Sequence, residues 1–483
     1  MTSDSVDSSG APRNLSRWRA LVWILCLAAL AVGARNFETG LTSDSPLYAS
    51  IARNIARSGE WFRLYGNLPE FVPFREHPHL GFWVMAAVFK CLPAADWSVR
   101  IPSHLFYVAF LFSLFLFARW KCGEKTAVAT ILMLWIWYRF SNIFSGAMLD
   151  PGAVTTGAGA VFLTDYSLTT GQRRTAPVAG LLLALCVLYK GMFAAIFFLV
   201  LGVVFLSHIR EWRRTITYYA TALVPVVILV ALYVFAVAHS HDPDYLRYYW
   251  SRQFDHRFAH IWTIGGIFDP DFWSGLVRDT IYLAPLALLS LLHPRRLAHE
   301  LLIPAVFFVS SVLLLAPSGL HQAQYWAVVL PWVAWLASDA IFGRLTWHPS
   351  RLVKFSTYVA IAGVFLLQYL PFPTHSSWVP IESADMHILR AQDGVKRLYL
   401  DRYPYNLDFI WAGKYAWNMD TPIDYVQRNK ERIDPIPSAD PSHAYLFLGV
   451  DAERSREIHQ RNWCLVEQFP ASSLWRDCQS PAE

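Results

Sequence analysis

Apolar and polar residues follow one another along this chain in blocks. From residue 18 onward, apolar runs of up to about 23 residues recur, most of them long enough to cross a hydrocarbon core of roughly 30 Å as helices. They cover residues 18–34, 101–118, 126–147, 152–167, 177–189, 192–208, 216–238, 273–292, 301–316, 323–342 and 353–370. The run 80–92, at about 13 residues, is too short to cross comfortably. Three polar blocks break the series: residues 41–80, residues 239–272, and everything from residue 371.

Basic residues fix how the runs thread. If 80–92 only dips into the interface, then Arg119, Lys121 and Lys125, Arg173 and Arg174, Arg210, Arg213 and Arg214, Arg295 and Arg296, and Arg344, Arg351 and Lys354 all fall on one side. Counting that run as a span would invert every cluster after it, so the positive-inside rule selects the dipping segment. The expected fold is an all-α polytopic membrane protein of about eleven transmembrane helices, with interfacial helices in the first outer loop. Residues 1–16 form a disordered cytoplasmic N-terminus and 17–370 the transmembrane domain, which includes a first outer loop (35–100) and a large outer loop (239–272). Residues 371–483 form a small extracytoplasmic α/β domain, with strand-like runs at 397–400, 444–450 and 464–469. Arg13, Arg17 and Arg19 before the first run, and Val32-Gly33-Ala34 after it, imitate a signal peptide. In a polytopic chain they read as an uncleaved signal-anchor.

Composition agrees with the pattern. Of 483 residues 55% are hydrophobic and 16% charged, against about 25% charged in soluble domains. A net charge of +5 fits cytoplasmic Lys and Arg, and no nucleic-acid partner is expected. Cys26, Cys91, Cys122 and Cys186 sit in or beside apolar runs as packing residues, whereas Cys464 and Cys478 in the polar tail are a disulfide candidate.

Distinctive polar residues collect on the outer face. Asp44, within Thr42-Ser43-Asp44-Ser45-Pro46, precedes an amphipathic pattern of Leu47, Tyr48, Ile51 and Ile55. It reads either as the N-cap of an interfacial helix or as a reacting carboxylate. Asp150, before Pro151-Gly152, has the same two readings. Glu76-His77-Pro78-His79, with His260, is a weak metal-ligand pattern. Lys190 and Arg139 lie near the outer leaflet, either reaching for headgroups or forming an anion site. The stretch 245–260 sets Arg252, Arg257, Asp255, His256 and His260 among aromatics, which suits a phosphate-facing segment or an ordinary aromatic belt.

In this order the residues resemble the bacterial GT-C glycosyltransferases, the branch of the lipid A aminoarabinose transferases, lipopolysaccharide galacturonosyltransferases and protein O-mannosyltransferase-like proteins. The resemblance runs over about residues 40–340. It rests on Asp44 with Tyr48-Ala49-Ser50-Ile51-Ala52-Arg53, Glu76-His77-Pro78-His79-Leu80, Val99-Arg100-Ile101-Pro102-Ser103, Met148-Leu149-Asp150, Lys190-Gly191, Asp255-His256-Arg257-Phe258, and His321-Gln322-Ala323-Gln324-Tyr325 with Pro331.

What the resemblance implies is an inverting hexosyl or pentosyl transferase in a bacterial inner membrane. It would move a sugar from a polyprenyl-phosphate carrier to lipid A, lipopolysaccharide or another envelope glycan at the extracytoplasmic face. Asp44 and Asp150 would be catalytic. His77, Arg257, Lys190 and Arg139 would meet the donor phosphate, and Tyr48, Glu76, His79, His321 and Tyr325 would line the substrate site. No cofactor is implied beyond the lipid-linked sugar donor, with a divalent metal left open. The partners would be that donor, a glycolipid, glycan or protein acceptor, and membrane lipids. The family has Lys where this chain has His77, and Pro where it has His79. A protein O-glycosyltransferase is the alternative, and a transporter of polyprenyl-linked substrates is a further one.

Overall fold

The structure is a computed structural model that describes residues 41, 44–67, 73–240, 242–255, 270–280, 283–292, 300–316, 325, 328–344, 396–402, 417, 423–426, 436–440, 442–448, 452–468 and 473–478. In chain order the helices are α1 (Ser45–Ser58), α2 (Leu80–Cys91), α3 (Asp96–Cys122), α4 (Glu124–Ile136), α5 (Tyr138–Ser145), α6 (Asp150–Thr170), α7 (Ala176–Lys190), α8 (Ala195–Ser207), α9 (Trp212–Ala238), α10 (Tyr245–Trp250), α11 (Pro270–Thr280), α12 (Ala284–Leu291), α13 (Leu302–Leu315) and α14 (Leu330–Asp339). The C-terminal part adds β1 (Arg397–Arg402), β2 (Ile423–Val426), β3 (His443–Leu448), α15 (Ala452–Gln460), β4 (Trp463–Gln468) and β5 (Ser473–Asp477).

Among the described residues three helical stretches are long and apolar enough to cross a membrane, Asp96–Cys122, Arg173–Ser207 and Ile209–Ala238, and shorter apolar helices accompany them. The chain is therefore a multi-pass α-helical membrane protein carrying a small mixed β-sheet. The expected spans at 18–34 and 353–370 lie outside the described residues. As expected, the segment after His79 is short: α2 has 12 residues, about 18 Å of helix.

An expected span is interrupted. The run 126–147 forms two helices, α4 and α5, because Trp137 is extended (φ −71°, ψ 98°). The break frees carbonyls, and Ser141 Oγ lies within hydrogen-bonding distance of two of them, Trp135 O at 2.9 Å and Leu134 O at 3.3 Å. Within the run 273–292 the described residues form α11 and α12, with Pro285 in the first turn of α12. Of 323–342, the described helix runs from Leu330 to Asp339.

The chain forms two compact units. One comprises Met1–Gly40, Glu76–Gly81 and Arg100–Phe372, the other Leu41–Arg75, Phe82–Val99 and Pro373–Glu483. Most of the first outer loop, assigned from sequence to the transmembrane domain, thus shares a unit with the tail. Within that unit Trp417 links loop to tail. Its ring stacks on Phe89 at 5.9 Å, its indole donates to Asp96 at 2.6 Å, and Arg53 lies over it at 4.6 Å while donating to its carbonyl at 2.8 Å.

In the helical unit α6 and α7 form a hairpin, turned by Gly171 in the left-handed region. Helix α9 lies close against α7, where a Cβ on Gly180 would come 1.8 Å from the Ala222 carbonyl oxygen. Phe307 stacks on Trp332 at 3.9 Å, joining α13 to α14.

In the other unit the sheet order is β2-β1-β3-β5-β4. β1 runs parallel to β2 and β3, while β5 is antiparallel to β3 and β4. β2 and β5 are additions to the three strands expected. Tyr445, Ile458, Trp463 and Trp475 form the core of this part, and a disulfide joins Cys464 to Cys478.

Candidate active site

Asp150 opens α6 and Lys190 closes α7, so the hairpin of these helices brings together residues 40 apart in sequence. Lys190 Nζ donates to Asp150 Oδ1 at 2.5 Å, with the side chains 5% and 1% exposed. Asp150 Oδ2 is buried and has no hydrogen-bond partner among the described residues. The ammonium also lies 5.1 Å from the ring of Phe193 and 4.9 Å from that of Tyr325. A cation held between two rings and a carboxylate is desolvated and fixed. That geometry replaces the headgroup-reaching reading of Lys190. Nor does Asp150 cap its helix: the cap position is Leu149. The helix start itself favours a negative charge at Asp150. Ser103 Oγ donates to the Met148 carbonyl at 3.1 Å, fastening α3 to the turn before it.

The Glu76–His79 turn belongs to the same unit and is gripped by α10 and the residues after it. Tyr245 Oη donates to the His77 carbonyl at 2.5 Å. Gln253 Nε2 donates to the Glu76 carbonyl at 2.8 Å, and Arg252 binds the Glu76 carboxylate at 3.1 Å. His79 is fully buried, sharing a 2.8 Å hydrogen bond between Nδ1 and Tyr233 Oη, with its ring 4.6 Å from that of Tyr245. Its contacts with Tyr233 and Tyr245 lie within this unit. Burial pushes the Tyr245 phenol well above its ordinary range, so it stays a hydrogen-bond donor.

One turn further along α10, Tyr249 stacks on Tyr245 at 6.1 Å and accepts the Met192 N–H at 3.2 Å. Between Lys190 and Met192, Gly191 has φ +53°, and a Cβ there would fall 1.7 Å from Tyr249 Oη. The spacing i, i+4 puts both tyrosines on one helix face. Each hydroxyl therefore holds one of the two turns that carry His77 and Lys190.

Asp44 lies in the other unit. It is the N-cap residue of α1 but makes no side-chain capping bond, which removes the plain capping reading. Tyr48 Oη instead donates to Asp44 Oδ2 at 3.3 Å. The Tyr48 ring is set edge-on against Phe82 at 5.5 Å.

Other expected residues fall elsewhere. Arg257, His260 and His321 lie outside the described residues, as does the side chain of Arg139. Glu76, His77 and His79 form no three-ligand cluster among the described residues. Sequence reasoning did not single out Tyr233, Tyr245, Tyr249 and Gln253. For Tyr245 and Tyr249 the one signal was their spacing on α10, which looks the same in an aromatic belt.

Residues 76–235, which hold the Glu76–His79 turn, Asp150 and Lys190, match the family model described as dolichyl-phosphate-mannose-protein mannosyltransferase. Among curated relatives, the undecaprenyl phosphate-alpha-4-amino-4-deoxy-L-arabinose arabinosyl transferase of Shewanella sediminis is 28% identical over 247 residues, covering 49% of this chain and 43% of its own length. The enzyme of that name from Edwardsiella ictaluri is 25% identical over 223 residues, covering 45% of this chain and 39% of its own. The chain thus spans less than half the length of the curated relatives it matches. The crystal structure of ArnT from Cupriavidus metallidurans bound to undecaprenyl phosphate superposes with a TM-score of 0.70 at 15% identity, over 94% of this chain and 98% of that one. Its apo form gives 0.69. The chain has the ArnT fold, and the resemblance stated from the sequence holds in both fold and sequence.

Proposed function

We propose that this protein is an inverting glycosyltransferase that takes a sugar from a polyprenyl-phosphate carrier and passes it to an envelope acceptor, lipid A, lipopolysaccharide or another glycan, at the extracytoplasmic membrane face. The observation that carries the reading is the buried Lys190–Asp150 pair, one carboxylate oxygen of which has no partner among the described residues, set in a fold that extends over nearly the whole of ArnT.

In this reading the acceptor hydroxyl attacks the anomeric carbon and its proton passes to the Asp44 carboxylate. The bond from that carbon to the phosphate oxygen breaks, and the polyprenyl phosphate leaves with the electron pair. Tyr48 donates to Asp44 and holds it in position for the acceptor. Lys190, with His77, Arg257 and Arg139, answers the charge that develops on the leaving phosphate. His77 supplies a hydrogen bond where the family has a full charge, so His77→Lys should keep activity and His77→Ala should lose most of it.

The test compares envelope glycolipids by mass spectrometry in cells with wild type and with Asp44→Asn. The modified glycan should vanish in the variant while purified protein still binds polyprenyl phosphate. Unchanged glycolipids in both strains, or full activity of Asp44→Asn, would end the proposal. A second reading, transfer to a protein hydroxyl, draws on the family model matched at 76–235. It predicts a mass shift on envelope proteins and none on lipids.

A further inference from the structure

At the end of the α6–α7 hairpin away from Asp150 and Lys190, an apolar groove opens between α6, α7, α8 and α9. Its volume is about 290 Å³, and its lining includes Thr164, Leu183, Gly202, Phe205, Tyr219 and Leu223. The polar atoms of this lining are spent internally: Thr164 Oγ1 donates to the Ala160 carbonyl at 2.8 Å and Tyr219 Oη to the Leu201 carbonyl at 2.6 Å. What the groove offers an occupant is hydrocarbon. Phe198 and Leu223 on its walls are also about half exposed, so it faces outward from the helices.

A collar of arginines stands at the end of the same helices. Arg173 and Arg174 occupy the link between α6 and α7, Arg210 and Arg213 flank the start of α9, and all four are exposed. The links meet there, since Arg214 donates to the Leu168 carbonyl at 2.5 Å and Thr169 Oγ1 is 3.4 Å from His208 Nε2. The acids of this region are already engaged, Asp165 by Lys121 at 2.5 Å and Glu211 by Arg214 at 2.6 Å. Among the described residues the collar is therefore an uncompensated positive surface beside a dry groove. The exposed Trp212, 5.4 Å from the Arg213 guanidinium, gives it an aromatic edge of the kind found at membrane interfaces.

We propose that groove and collar together bind an anionic glycerophospholipid of the bilayer, one acyl chain lying along the groove and the phosphate-bearing headgroup among Arg173, Arg174, Arg210 and Arg213. Guanidinium forks suit phosphate oxygens, and basic sites between transmembrane helices select anionic headgroups. A zwitterionic lipid brings its own cation to the collar and gains less. The site is separate from the Asp150–Lys190 pair by the length of α6, whose 21 residues extend about 30 Å.

The experiment titrates the solubilised full-length protein with phosphatidylglycerol, phosphatidylcholine and a polyprenyl monophosphate, reading bound lipid by native mass spectrometry. It needs no enzymatic activity, so it stands or falls apart from the proposed transfer reaction. Phosphatidylglycerol should bind in preference to phosphatidylcholine. Arg173→Gln with Arg174→Gln, and Arg210→Gln with Arg213→Gln, should each weaken it, by about fivefold per charge removed. Gly202→Leu should also weaken it, since a Cβ at Gly202 meets nothing within 4 Å and the longer side chain can fill the groove without disturbing the helices. Equal binding of the two phospholipids, full binding in either arginine pair, or full binding in Gly202→Leu would overturn the site. So would polyprenyl monophosphate binding as tightly and being lost in the same variants, which would make the occupant the sugar carrier.

Discussion

Lys190 and Asp150 stabilise each other, and either one alone would be an uncompensated buried charge. Removing one partner of a buried pair costs about 3–5 kcal/mol, so Lys190→Gln should lower the melting temperature sharply. Adding Asp150→Asn should recover much of that loss, because two neutral amides can share a hydrogen bond. Transfer activity should stay absent in both variants. Thermal melts beside turnover assays separate the two effects, and a double variant that regained activity would make the pair purely structural. Asp44 and Asp150 stood out in the sequence because each lies just ahead of a proline in the first turn of a helix. Lys190 was legible as a residue, but its partner was not. The contact closes over 40 residues, and only the hairpin direction of α6 and α7 chooses Asp150 over any other acid.

At the scale of elements, α10 decides how the Glu76–His79 turn and the Lys190–Met192 turn are held. Gly191→Ala should be severely destabilising or inactive, because φ +53° disfavours a side chain and Tyr249 Oη occupies the space where Cβ would go. Tyr249→Phe removes that oxygen, so combining the two should recover part of the loss in a melt. Tyr245 gives a pH signature. Its folded-state pKa is raised above the ordinary 10.0 by burial, so the stability it contributes is fully present below about pH 10 and lost as pH rises from there towards the displaced value. Melting temperatures between pH 8 and 11 should fall more steeply for wild type than for Tyr245→Phe, and parallel slopes would remove Tyr245 from the account. The sequence contained these tyrosines at the right spacing. Periodicity alone could not tell a clamp from a belt, because both put aromatic faces on one side of a short helix.

For the molecule as a whole, the sequence showed a polytopic helical protein with a polar α/β tail, since apolar run length is set directly by bilayer thickness. It was less informative about continuity. Trp137 breaks a helix inside an apolar run, where hydropathy changes little and only backbone geometry records the break. The grouping of the first outer loop with the tail was hidden as well, because Trp417, which links the two, lies more than 300 residues along the chain from Arg53 and Asp96.

Which side of the membrane the tail occupies follows from the proposed topology, and the Cys464–Cys478 bond offers a way to measure it. Disulfides persist in oxidising compartments and are rare in the cytosol, so a tail outside the inner membrane should keep both sulfurs bridged in living cells. An impermeant maleimide should label neither cysteine in intact spheroplasts until a reductant is added. A Ser442→Cys variant, placed just before β3, should label without reductant. Replacing both cysteines with serine opens a loop with a sequence separation of 14 and should cost up to about 3 kcal/mol. That loss should be confined to the sheet, with proteolysis of 373–483 quickening while the helical unit melts as before. Ser442→Cys protected from the impermeant reagent, or free Cys464 and Cys478 thiols without reductant, would place the tail in the cytosol and reverse the face assigned to Asp44 and Asp150.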